Sequence, residues 1–354
     1  MLDLIRNTLA SITPVSQQRI QVAQAHLDNL TKPPGSLGLL EQLAIKYATI
    51  RETDRPSIKK KAVIIFAADH GVTVEGLSAY PAEVTPQMVQ NFLKGGAAVN
   101  VLARQQGADV LVVDIGVNHS FAPQPELLDR KIAFGTKNLA RQPAMTRSEA
   151  EQAIAIGIQL ANQLAVKEVD LLATGEMGIG NTTASSAILS ILSGLSASQV
   201  TGRGTGIDDK TFDHKIAVIE QALALHKLDP DDPIDILAKV GGFEIGGIMG
   251  FVLGAAAKKI PLVIDGLISG AGASLAFKLN PAVKDYIFAS HRSVEPGHQI
   301  FFDLLQLPPL YDLKMRLGEG TGAVLAFNLI EASVKIYTEM ATFQSAGISE
   351  SSQE

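Results

Sequence analysis

The chain has 354 residues, 46% of them hydrophobic, enough for a sizeable core in two domains or one large α/β domain and incompatible with wholesale disorder. Thirty Lys and Arg stand against 36 Asp and Glu, a net charge of −6 with no basic run longer than Lys59-Lys60-Lys61, which excludes a dedicated nucleic-acid binder. The absence of cysteine excludes disulfides, thiolate catalysis, cysteine-ligated zinc and iron–sulfur clusters.

The N-terminal stretch carries Asp3 and no apolar run of signal-peptide length, so the expected compartment is the cytoplasm. The first 55 residues read as helices. One is expected over 16–31, with Ile20, Val22, Ala23, Leu27 and Leu30 at helical spacing. Next comes the rigid loop Lys32-Pro33-Pro34-Gly35-Ser36-Leu37-Gly38, with Ser36 as a candidate cap for a helix from about Leu39 to Arg51.

Beyond residue 55 strand and helix alternate. Short, continuously apolar runs at Ala62–Ala67, Val110–Val113, Val169–Ala173, Leu262–Ile264 and Tyr286–Ala289 fit strands buried on both faces of a parallel sheet. Helical segments separate them, over 86–106, 147–166, 181–194, 210–226 and 244–258. The segment 227–242 reads as a surface loop or short-helix region. Even the most apolar stretch, Phe243 to Ala257, carries Glu244 and is dense in glycine, so no membrane partner is expected. Gly320 to about Met340 returns to helix, ahead of a tail Ser345–Glu354 expected to fray. The pattern predicts a Rossmann-like parallel sheet flanked by helices over 56–324. The two ends, 1–55 and 325–354, are expected to pack into a small helical domain.

Polar residues collect where the apolar runs end: Asp69-His70, Asp114, Glu176, Asp265, and Ser290-His291-Arg292-Ser293. Open α/β sheets bind ligands beyond the carboxyl ends of their strands, so these residues are expected around one cleft. The turn Gly175-Glu176-Met177-Gly178-Ile179-Gly180-Asn181-Thr182-Thr183 follows a strand and opens a helix. It reads as a phosphate-binding turn, or as a tight structural turn. It matches neither a Walker A loop nor a clean GxGxxG. Thr201-Gly202-Arg203-Gly204-Thr205-Gly206 offers the same two readings. Glu319, among glycines before the last helix, can be a helix cap or a general base. His70, His291 and His298 show no HxH or HExxH spacing, so no metal is expected. No GxSxG elbow is present.

Six segments together resemble one family: TKPPGSL (Thr31–Leu37), FAADHGV (Phe66–Val72), GEMGIGNTT (Gly175–Thr183), FEIGGIMG (Phe243–Gly250), SHRSVEP (Ser290–Pro296) and RLGEGTG (Arg316–Gly322). It is the nicotinate-nucleotide:dimethylbenzimidazole phosphoribosyltransferase (CobT) family of cobalamin biosynthesis. The resemblance implies transfer of the phosphoribosyl group of β-nicotinate mononucleotide to 5,6-dimethylbenzimidazole with inversion, without a cofactor, by a homodimer. It implies that Glu319 is the catalytic base and that Glu176 lines the site near the ribose. Phosphate and ribose fall to Gly178, Ile179, Gly180, Asn181, Thr182, Gly202, Gly204 and Gly206, with Lys215, Ser290 and Arg316 as helpers; Lys215 can equally be a surface helix lysine. The benzimidazole slot is assigned to Ser78, Tyr80, Pro81, Gln87, Met88 and Leu317, where the alternative is a proline-bounded surface loop and an ordinary helix. A nucleotide glycohydrolase and a non-catalytic nucleotide or benzimidazole binder are the competing readings.

Overall fold

The computed structural model describes residues 1–204 and 206–349. Thr205 of the second glycine cluster and the end of the tail expected to fray lie outside them. Six strands form one parallel sheet: β1 (Lys61–Ala68), β2 (Ala108–Gly116), β3 (Leu127–Asp129), β4 (Leu171–Met177), β5 (Leu262–Ile264) and β6 (Ile287–Ala289). Their order is β3-β2-β1-β4-β5-β6, so the chain reverses direction across the sheet between β1 and β4. This is the doubly wound Rossmann arrangement, and its switch point is where a ligand crevice forms. The central strand β1 is buried along its whole length, which is why its sequence shows no alternation.

Helix Phe243–Ala257 packs on the sheet and helix Arg147–Val166 packs on that helix, their glycines letting the two backbones meet. Helix Thr321–Glu339 begins in the main core, with Ala323, Val324, Ala326 and Phe327. Its far end reaches a second, smaller core of Ala23, Leu27, Leu30, Ala44, Ala48 and Tyr337. Among the described residues no helix is long and apolar enough to cross a membrane.

Several local expectations are corrected. The single helix over 86–106 is two, Val84–Leu93 and Ala98–Gln106. Gly95, at φ +74°, takes the left-handed conformation that ends the first of them. Strands β2 and β4 run further than their apolar cores, so Asp114 and Glu176 lie inside strands rather than after them. Glu176 is paired in register with Phe66 of β1. The edge strand β3 escaped the reading because three residues carry too little pattern. Ser36 does not cap helix Leu39–Arg51. Instead Glu41 accepts the Leu37 N–H at 2.9 Å and forms a buried ion pair with Lys32, also at 2.9 Å. The 227–242 segment contains helix Pro233–Val240, started by Asp232 and by proline at its first position.

Candidate active site

A cavity of about 680 Å³ opens beyond the carboxyl ends of β4, β5 and β6. β4 delivers Glu176 and Met177, and the turn after it Gly178, Ile179, Asn181 and Thr182; Gly266 follows β5 and His291 follows β6. The Arg316–Glu319 segment, just ahead of helix Thr321–Glu339, closes the opposite wall. The ends of β1, β2 and β3 take no part in the lining. Asp69 accepts the Asn118 N–H at 2.8 Å, and Asp114 accepts the Val117 N–H at 2.9 Å and pairs with Lys131, so both serve loop structure.

Glu319 sits in three consecutive left-handed residues, with φ +82° at Gly318, +64° at Glu319 and +91° at Gly320. A non-glycine residue in that region is strained by roughly 1 kcal/mol or more, so the fold must hold it there. Asp265 supplies the hold. Its buried carboxylate accepts the N–H groups of Gly320 and Ala323, both at 3.0 Å, at the start of helix Thr321–Glu339. Asp265 therefore takes the capping work that the sequence left open for Glu319. The Glu319 side chain is left buried, with Oε2 lacking any hydrogen-bond partner. Burial, reinforced by the charge of Asp265, pushes its pKa up to about 7.

Glu176 lies beside it. Its Oε1 accepts the Glu319 backbone N–H at 3.4 Å, and its Oε2 is held by the Asn181 amide. Gly318 is required here, since a Cβ would run into Glu176 Oε1. Burial first, then the charges of Asp265 and Glu244, push Glu176 up to about 8. Glu244 is itself buried and paired with His70 at 2.7 Å. His70 packs beneath Gly178 and Gly180. Burial alone would depress the His70 pKa, but the Glu244 carboxylate outweighs it and holds the ring above its usual value.

The raised pKa of Glu176 has a stability consequence. The folded protein keeps a proton that the unfolded chain releases near pH 4.5, so stability is greatest below that pH and falls as pH rises through about 8. A Glu176→Gln variant lacks this ionisation. Its melting temperature relative to the parent is expected to rise from pH 6 and to level off above about pH 8. A pH-independent difference in thermal unfolding would show that Glu176 stays ionised throughout.

The glycine-rich loops form a second group. Lys215 is buried rather than solvated on its helix. Its Nζ donates to Thr182 Oγ1 at 2.8 Å and to the Gly202 carbonyl at 3.5 Å. Burial pushes its pKa down to about 8, against the opposing pull of Glu295. Gly204 lies beside Lys215 and Thr182. Gly202 and Gly206 line a neighbouring cavity that shares Glu295 and Arg316 with the first. Gly180, at φ +98°, supports the turn from behind. Ser290 lies under the floor, its hydroxyl 3.2 Å from the Asp265 carbonyl and 3.0 Å from His291 Nδ1.

Tyr80, Val84, Met88, Leu267, Ile268 and Leu317 make an apolar wall, with Tyr80 and Leu317 half exposed at the mouth. Ser78, Pro81 and Gln87 do not line the cavity; the Ser78 hydroxyl accepts the Tyr80 N–H at 3.2 Å. His291 and Ser293 line it, as expected of residues at the end of that apolar run, and so does Glu295, for which the sequence offered no role beyond its place in SHRSVEP. The signal was position alone: all three follow β6, at the rim where such sheets bind ligands. His298 is buried against Phe301 and Phe302. Burial, with His291 and Arg292 nearby, pushes its pKa down to about 3. Among the described residues no group of His, Asp and Glu is arranged to hold a metal ion.

A Rossmann-type sheet, glycine loops with a buried lysine, and two proton-retaining carboxylates facing an apolar wall define a class: α/β enzymes acting on a phosphorylated, partly flat small molecule. A family model described as a phosphoribosyltransferase matches residues 12–348. The nicotinate-nucleotide–dimethylbenzimidazole phosphoribosyltransferase of Chloroflexus aggregans is 57% identical over 349 residues, covering 99% of both chains. That of Geobacter sulfurreducens is 56% identical with the same coverage. The crystal structure of CobT from Thermus thermophilus superimposes with a TM-score of 0.91 at 46% identity, over 94% of this chain and 100% of that one. The chain belongs to the nicotinate-nucleotide–dimethylbenzimidazole phosphoribosyltransferase family.

Proposed function

We propose that this chain is a pentosyltransferase that moves the 5-phosphoribosyl group of β-nicotinate mononucleotide to 5,6-dimethylbenzimidazole. The products are α-ribazole 5′-phosphate and nicotinate, within assembly of the cobalamin nucleotide loop. The observation that carries the reading is the buried Glu319 carboxylate, one oxygen unpartnered, in the same cavity as the apolar wall of Tyr80, Val84, Met88 and Leu317.

The chemistry needs one base and no acid. A benzimidazole ring nitrogen attacks the ribose C1, and the C1–N bond to the pyridinium breaks with its electron pair going to the pyridine nitrogen. Nicotinate therefore leaves without being protonated at that nitrogen. The second azole nitrogen becomes acidic as the new bond forms, and Glu319 takes its proton. A pKa near 7 suits that task, because the group is part-ionised at neutral pH yet basic enough to drive the transfer. A single in-line displacement inverts C1. Glu176 faces the ribose in this reading, where developing positive charge at C1 favours its ionised form. Lys215, Thr182 and the Gly204 N–H receive the phosphate, with Arg316 at the rim.

Tyr80→Ala is expected to raise the KM for dimethylbenzimidazole about tenfold, the ~1.4 kcal/mol within reach of one aromatic contact. The KM for the nucleotide is expected to stay within about twofold. Equal effects in steady-state kinetics would move Tyr80 out of the base slot. The reaction itself is tested by incubating the protein with both substrates and separating the products. An α-configured benzimidazole riboside phosphate, one for one with nicotinate, supports transfer, whereas nicotinate alone means hydrolysis.

Three further elements belong to this reading. The segments 1–55 and 325–354 act as a small helical domain, supported by the separate core around Leu27, Leu30 and Tyr337, although Ile5 and Ile12 join the main core. The working form is a homodimer, as the family resemblance implies, which light scattering tests. The compartment is the cytoplasm.

A further inference from the structure

Glu295 is the acidic residue of the cleft that the transfer chemistry leaves without a task. It sits in the loop after β6, is buried, and lines both cavities. Its Oε1 accepts the Gly204 backbone N–H at 2.9 Å. Its Oε2 is buried and has no hydrogen-bond partner. The carboxylate lies flat against Gly202, in the space a Cβ would occupy, with its Oε1 3.0 Å from that position. Its charge acts on Lys215 without a direct ion pair between the two, and Lys215 donates to Thr182 Oγ1 at 2.8 Å.

A backbone N–H in a glycine loop, an ammonium and a hydroxyl are the donors a phosphate monoester uses. Here a carboxylate is already on the first of these donors, the Gly204 N–H. We infer that Glu295 is a binding-site residue whose carboxylate stands on the Gly204 donor of the phosphate seat in the free protein, so that every phosphate ligand must displace it to bind. This rests on reading the Gly204, Thr182 and Lys215 donors as that seat.

The physical logic is competition. A tethered carboxylate is present at high effective concentration, so a free anion must displace it using phosphate contacts alone. A mononucleotide brings ribose and ring contacts as well, and these offset the displacement. The displacement lowers both affinities by the same factor, which leaves the free anion, the weaker ligand, unbound at concentrations where the nucleotide still binds.

Inhibition by inorganic phosphate is measured for the parent, Glu295→Gln and Glu295→Ala, beside the KM for nicotinate mononucleotide. Ala vacates the seat. Gln removes the charge but keeps the shape and an acceptor for the Gly204 N–H, so it remains informative if Ala disturbs the loop. Phosphate is expected to inhibit the Ala variant about tenfold more strongly, a step of one decade in affinity, and the Gln variant by less. The nucleotide KM is expected to fall by a similar factor. Phosphate inhibition unchanged or weaker in both variants overturns the inference. So does an equal gain in the Gln and Ala variants, which marks a charge effect without occupancy. Lys215→Met separates the two layers. If it abolishes phosphate inhibition of the parent while the Glu295 variants show no gain, only the role of Glu295 falls. If phosphate inhibition survives it, the seat lies elsewhere and both readings fall.

Discussion

Glu319→Gln is expected to lower kcat by about 10²–10⁴, the usual contribution of a positioned general base, while the KM for the nucleotide stays within about threefold. Gln keeps the size of the side chain and leaves the left-handed turn between Gly318 and Gly320 unchanged, but it cannot take the azole proton. The parent should gain activity as pH rises through about 7, because Glu319 must lose its proton to act and burial beside Asp265 holds that proton to near neutrality. The variant should lose this limb of the kcat/KM profile between pH 5.5 and 9. Its melting temperature should change little, since Asp265, not Glu319, accepts the Gly320 and Ala323 N–H groups at the helix start. The opposite pattern, turnover near that of the parent with a clear loss of stability, would return Glu319 to a structural role.

The contrast between Glu319 and Asp265 marks how far the sequence could be read. Both are single acidic residues next to glycine, and both could have been cap or base. Motif and composition do not separate them; only the fold does, by aiming one carboxylate at two backbone N–H groups and leaving the other with an empty oxygen. The parallel sheet was legible because β1, β4, β5 and β6 are buried on both faces, and β2 over its second half, so that they read as unbroken apolar runs. The edge strand Leu127–Asp129 was not, being short and only partly buried. The break at Gly95 was hidden because helical spacing continues on both sides of it. The buried state of Lys215 was also out of reach. A lysine in helix Asp209–His226 is by default solvated, and its partners, Thr182 and Gly202, come from other segments of the chain.

Gly250→Ala is expected to destabilise the protein by ~3 kcal/mol, although alanine is the better helix former by about 1 kcal/mol. Gly250 lies in the middle of helix Phe243–Ala257 with ordinary helical backbone, so conformational freedom is not its reason. The reason is proximity. A Cβ there would overlap the Ile154 carbonyl of helix Arg147–Val166, and one on Gly157 would come within 2.5 Å of the Phe251 nitrogen. On the same face, added carbons at Gly246 and Gly254 would sit 2.7 and 2.6 Å from the methyl groups of Ala153 and Ala161. The two helices thus meet backbone to backbone, and backbone cannot move aside by changing rotamer as a side chain can. Relief requires the helices to part, and the strain then passes to the sheet, because Phe66 of β1 packs at 2.7 Å from the position of a Cβ on Gly247. Phe66 is the register partner of Glu176, so a shift there reaches the cavity wall. Thermal unfolding should therefore show a lower melting temperature, accompanied by reduced kcat. A melting temperature equal to or above that of the parent would mean that helix propensity outweighs the overlap and that the two helices separate at little cost.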